Sequence, residues 1–175
     1  IAQYLAAFPI VVADLNRELQ RIDLGIDEMR VEQSAVGPEL MFKHRGLRFE
    51  MPWISESHGT RAFIKVYPRI FGVLATGGIA LLDEFDLSIH PLVLPEIVGW
   101  FRDPERNPRN AQLWMSCHSV SLMEELTKEE IAFCEKDSSG RTKLYSLMDV
   151  GAVRRDDHIY KKYLSGTYGA VPHIG

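Results

Sequence analysis

The sequence has 175 residues, 46% of them apolar and 25% charged, and carries a formal net charge of −4. That balance fits one globular domain with a buried core and excludes a disordered or fibrous chain. The charge provides no overall field to draw in nucleic acid or an anionic membrane, and no run approaches the roughly 20 apolar residues of a spanning helix.

Leu5, Phe8, Val12, Leu15, Leu19 and Ile22 recur at helical spacing and predict one amphipathic helix, broken near Pro9 and stopped at Gly25. Ile26 to Val31, Leu40 to Lys43 and Leu47 to Met51, punctuated by Gly37-Pro38 and Arg45-Gly46, predict a small antiparallel element. Phe63, Ile64, Tyr67, Ile70, Phe71 and Leu74 predict a second helix, kinked at Pro68 and closed by Gly77-Gly78. Ile79 to Leu82 is a continuous apolar run, the pattern of a strand buried on both faces, and Ala111 to Met115 reads as a second buried strand. Between them a helix is expected from Pro91 through Trp100. Ser119 to Leu126 reads as helix and Ile131 to Cys134 as strand, with a further strand from Thr142 to Leu147 after the turn Asp137-Ser138-Ser139-Gly140. The order β-α-β-α-β implies a parallel α/β sheet whose carboxyl-edge loops carry the chemistry.

The first candidate site follows from Ile79 to Leu82, an apolar strand that ends in Asp83-Glu84. Carboxylates are costly to bury unpaired, so two of them at a strand exit suit a cation and a reacting water, or else a cap on the turn at a solvated edge. In a nucleoside triphosphatase Asp83 would hold Mg²⁺ and Glu84 would orient the attacking water. His118 ends the next strand, where an imidazole suits either a structural hydrogen bond or a γ-phosphate sensor. Ser57-His58-Gly59-Thr60 precedes a helix, and its hydroxyls and backbone N–H groups suit an N-cap or an anion site, with glycine allowing close approach.

In serial order these features resemble ABC-type AAA ATPases of bacterial and phage-defence systems (abortive-infection and OLD-like proteins), which are related to SMC and RecF heads. Glu56-Ser57-His58-Gly59-Thr60-Arg61 resembles the signature, and Leu81-Leu82-Asp83-Glu84-Phe85-Asp86 resembles Walker B. Ser88-Ile89-His90-Pro91 resembles the D-loop, and Ser116-Cys117-His118-Ser119 the switch-histidine loop. The likeness extends to Leu24-Gly25-Ile26 and to a tail comprising Phe133 to Asp137, Leu144 to Leu147 and Tyr163 to Pro172. The implied fold class is α/β, a P-loop NTPase of ABC type, represented by the C-terminal portion of the head with a mostly parallel sheet flanked by helices. The implied layout is an arm over 1–54, an ATPase core over 55–135 and a C-terminal extension over 136–175.

The resemblance implies ATP and Mg²⁺ as cofactors, Glu84 and His118 as catalytic residues and Asp83 as the metal ligand. It implies that Ser57, Gly59, Thr60, Ser88 and His90 bind nucleotide, with Ser57 and Gly59 of one head meeting the γ-phosphate bound on the other in a dimer around two ATP molecules. His58 and His90 depart from the glycine and aspartate common at those positions. An effector protein and DNA are further partners that such a switch would serve, and a membrane is not. No G-x-x-x-x-G-K-[ST] loop occurs in the 175 residues, so ATP turnover is expected to need an N-terminal half carrying Walker A, and Ile1 as first residue fits a fragment. The competing reading is a non-catalytic cassette-fold scaffold that recruits an effector.

Other signals point less sharply. Cys117 and Cys134 form neither a disulfide framework nor a zinc spacing, which fits a reducing cytoplasm. The six histidines show no zinc spacing. Arg154-Arg155-Asp156-Asp157 and Lys161-Lys162 read as solvated surface or a partner contact. Glu135 and Asp137 suggest a Toprim nuclease centre but lack the Asp-x-Asp that should follow.

Overall fold

The computed structural model describes residues 1–22, 25–151, 153 and 158–171, and the chain divides into two compact units, Ile1–His118 and Ser119–Gly175. Leu24, Arg154 to Asp157, Pro172 and His173 lie outside the described residues.

In the first unit the expected break at Pro9 separates α1 (Ala2–Ala7) from α2 (Pro9–Ile22). Pro9 has no N–H to continue α1, and it opens α2 at the position where that loss costs nothing. Helix α2 buries Val11, Leu15 and Leu19 together with Glu18. The Glu18 carboxylate is taken up by Arg21 at 2.9 Å and Arg106 at 2.8 Å, which offsets the cost of burying it. Asp14 accepts from the Tyr67 hydroxyl, and burial followed by that hydrogen bond pushes the Tyr67 phenol above its ordinary range.

Strands β1 (Ile26–Ser34) and β2 (Gly37–His44) form an antiparallel hairpin whose Ile26, Met29, Leu40 and Phe42 are buried, with α2 against β1 and α1 against β2. The Asn16 amide clips α2 to β1 by donating to the Met29 carbonyl and accepting the Met29 N–H. Only β3 (Met51–Pro52) remains of the strand expected from Leu47. Leu47 and Phe49 are both exposed, so that stretch has no buried face to hold it extended.

Helix α3 (His58–Thr76) starts earlier than the apolar pattern suggested, because Ser57 caps it by accepting the Thr60 N–H at 3.0 Å. Gly77, at φ 81°, ends it in the left-handed region. Pro68 sits inside the helix. Phe63 and Tyr67 of α3 meet Trp100 of α4 (Val93–Arg102) edge to face, with centroids 6.3 and 5.8 Å apart. The start of α4 falls two residues after Pro91.

Strands β4 (Ile79–Leu82) and β5 (Gln112–Met115) pair in parallel on either side of α4 in the chain, a β-α-β unit that carries the expected α/β class. One expectation is overturned here. Ile79, Leu81 and Trp114 are 59%, 76% and 63% exposed, so these strands are not buried on both faces. The reason is that α3 packs on β4 and α4 on β5, while the opposite face has no layer over it among the described residues.

In the second unit the stretch expected as a helix from Ser119 forms a 3₁₀ turn, Val120–Glu124. Strands β6 (Ala132–Lys136) and β7 (Thr142–Ser146) pair antiparallel rather than extending a parallel sheet. The turn between them is too short for the crossover that parallel strands need. A short α5 (Ile159–Leu164) was not foreseen. Phe133, Ile131, Leu147 and Tyr168 form the core, and Phe133 stacks on Tyr163 with planes 2° apart. No helix among the described residues is long and apolar enough to cross a membrane.

Candidate functional site

Parallel strands leave their side-chain chemistry at their carboxyl ends, and β4 and β5 end side by side. Leu82 pairs with Met115, so Asp83 and Ser116 are the next residues of each strand and meet across the gap. The Ser116 hydroxyl donates to Asp83 Oδ1 at 2.5 Å and accepts the Glu84 N–H at 2.8 Å. One hydroxyl thereby ties both acids of β4 to the end of β5.

Glu84 has φ 46° and ψ 33°, the left-handed region that a β-carbon disfavours by about 1–2 kcal/mol. The turn continues into a 3₁₀ segment, Phe85–Leu87, anchored by buried Phe85. Asp86 of that segment accepts the His118 N–H at 2.9 Å. His118 Nε2 lies 3.6 Å from Glu84 Oε1, with both side chains more than half exposed. Asp83, Glu84 and His118 are therefore neighbours at one rim, held by Ser116 and Asp86.

A second group forms at the start of α3. The Ser57 hydroxyl caps the helix and also lies 2.8 Å from the Thr60 hydroxyl. Gly59 is pressed against the segment that follows Glu84, where a β-carbon would stand 2.9 Å from the Ser88 carbonyl oxygen. Only glycine fits that approach. His90 is exposed, and its Nδ1 accepts the Leu92 N–H at 3.3 Å in the turn before α4. Ser88 thus joins the two groups, since it touches the helix start and lies in the loop leaving the acidic rim.

Beneath the helix start, His44 Nε2 of β2 is 2.6 Å from Glu56 Oε1, and the Glu56 side chain is 3% exposed. Sequence reading left this pair, and the bridging roles of Ser116 and Asp86, unassigned. Ser116 had one usable signal, its position as the first polar residue after an apolar strand.

The rim offers two carboxylates and a hydroxyl, hard oxygen donors of the kind Mg²⁺ takes. No group of three or more His, Cys, Asp or Glu forms a metal cage among the described residues. The donor set therefore fits an ion held by one carboxylate with water and phosphate, not one enclosed by protein.

Comparison with known proteins agrees with this architecture. Residues 7–124 match the family described as "AAA domain, putative AbiEii toxin, Type IV TA system". Among solved structures, one described under "Structural biochemistry of ATP-driven dimerization and DNA stimulated activation of SMC ATPases" is similar in fold, with a TM-score of 0.60 at 14% identity over 82% of this chain and 86% of that one. No curated protein matches the chain in sequence.

Proposed function

We propose that this chain, which belongs to the AAA domain family of the AbiEii type, is the C-terminal portion of an ATPase head that binds and hydrolyses ATP as a dimerising switch. Its family makes it a nucleotide-binding ATPase, and its α/β fold is similar to that of a solved SMC ATPase structure. The observation that carries this proposal is the meeting of Asp83, Glu84 and His118 at the carboxyl rim of β4 and β5.

In this reading Glu84 accepts hydrogen from a water aligned with the γ-phosphorus. The water oxygen bonds to that phosphorus as the bond to the β–γ bridging oxygen breaks, and ADP leaves with the bridging oxygen. His118, next to Glu84, donates to a γ-phosphate oxygen and registers its departure. Asp83, positioned by the Ser116 hydroxyl, would hold Mg²⁺, which supplies charge neutralisation to the phosphates when bound. Ser57, Gly59, Thr60, Ser88 and His90 of a second copy would face the same nucleotide from across the dimer.

The exposed face of β4 and β5 supports an N-terminal half as partner. Parallel strands are ordinarily covered on both sides, and the phosphate cradle is absent from these 175 residues. A defence or DNA-transaction setting in the cytoplasm, with an effector or DNA as further partner, is the role we infer from the family resemblance. A purely scaffolding cassette would need none of the acids or the imidazole. A coding sequence without a Gly-rich Lys-Ser/Thr loop upstream of Ile1 would favour that scaffold.

The test is Glu84→Gln in the complete protein. It should keep ATP binding, lose turnover by about a hundredfold or more, and accumulate the ATP-bound dimer. Unchanged turnover removes Glu84 from this role.

A further inference from the structure

The start of α3 is held from two sides. On one side Gly59 abuts the Ser88 carbonyl, so the turn cannot move toward the loop after β4 without a backbone clash. On the other side Glu56, the residue before the Ser57 cap, is buried and bonded to His44. A carboxylate with 3% side-chain exposure is costly unless something takes up its charge, and an imidazole N–H donating at 2.6 Å does so. The β2–β3 pairing and the Phe42–Trp53 contact hold the stretch up to Trp53 against β2, and the His44–Glu56 bond extends that anchorage to the residue beside the Ser57 cap.

We propose that His44 and Glu56 are positioning residues for the nucleotide-facing turn: their buried pair fixes Ser57, Gly59 and Thr60 in the arrangement that meets the terminal phosphate of ATP bound on a second copy. The inference rests on the dimer reading above and adds to it two residues that touch no nucleotide. Its physical content is preorganisation. The Ser57 hydroxyl and the first N–H groups of α3 bind an anion best when the turn does not have to be ordered at the moment of contact. Removing His44 leaves Glu56 buried without its donor, so the carboxylate draws toward solvent and carries the adjacent Ser57 with it.

Three variants separate positioning from plain stability, all in the complete protein carrying Glu84→Gln so that the ATP-bound dimer persists. His44→Ala should leave ATP affinity of the single head unchanged, measured below the dimerisation concentration, and weaken ATP-dependent association by roughly tenfold or more. Glu56→Gln retains a hydrogen-bond acceptor for His44 and should come within a few-fold of the parent. His44→Ala with Glu56→Leu removes the buried charge and should restore thermal stability while association stays weak.

Equal association constants for His44→Ala and the parent overturn the proposal. So does the double variant if it recovers association along with stability, because the pair would then matter only to folding. If the parent itself forms no ATP-dependent dimer, the failure belongs to the dimer reading and not to this pair.

Discussion

Ser116 Oγ and Asp83 Oδ1 lie 2.5 Å apart, joining the ends of two parallel strands through a side-chain hydrogen bond. The same oxygen receives the Glu84 N–H, so the position of both acids depends on one hydroxyl.

Ser116→Ala should therefore lower ATP turnover in the complete protein more than it lowers stability. Loss of a hydrogen bond to a charged group is worth about 1.5–3 kcal/mol, or roughly 10- to 100-fold in rate if all of it is felt at the acids. The site is exposed, so thermal unfolding should shift by no more than about 1 kcal/mol. Steady-state ATPase assays beside melting curves check this, and a variant with parent-like turnover would show that Asp83 and Glu84 need no bridge.

Leu81 and Trp114 are paired across β4 and β5 and both exposed. If an N-terminal half covers that face, Leu81→Ser should cost the complete protein about 2–3 kcal/mol, the worth of a buried leucine. The same change in this chain alone should cost less than about 0.5 kcal/mol. Denaturant titration of both forms makes the comparison, and equal losses would argue against a covering layer.

Asp137 supplies the pH dependence with a clear sign. Its carboxylate accepts from the Ser139 hydroxyl, then from the Arg141 N–H, and is held down to about 2 from an ordinary 3.8. A depressed folded value means the contribution is present above about pH 4 and lost as pH falls toward 2. Asp137→Asn should flatten the acid limb of stability across that window, read by melting temperature against pH. A carboxyl resonance titrating near 4 in the parent would contradict the premise.

The chemistry-bearing rim was legible because its signals are local. An apolar run ending in Asp83-Glu84, and a second run followed by Ser116 and His118, predict strand exits without any knowledge of what lies beside them. The Ser57 cap and the Pro9 break are equally local events of the backbone. The contacts that position the site were not legible, since His44 to Glu56 and Gly59 to Ser88 form only when separate elements pack. The burial of β4 was misread for the complementary reason. Apolar character at Ile79 and Leu81 reports what a strand is suited to, whereas exposure reports what is present to cover it. The final strands were legible, but the order β-α-β-α-β assigned the strand after Ile131 to the parallel sheet, whereas the short turn after Lys136 folds it into an antiparallel hairpin.

Glu84 leaves its strand in a left-handed conformation that costs free energy at the residue most exposed to functional scrutiny. Glycine there would relax the backbone while deleting the carboxylate, so selection for a more durable fold and selection for turnover pull this position in opposite directions. Lineages that abandon hydrolysis but keep the domain should drift toward Gly or Asn at this site first.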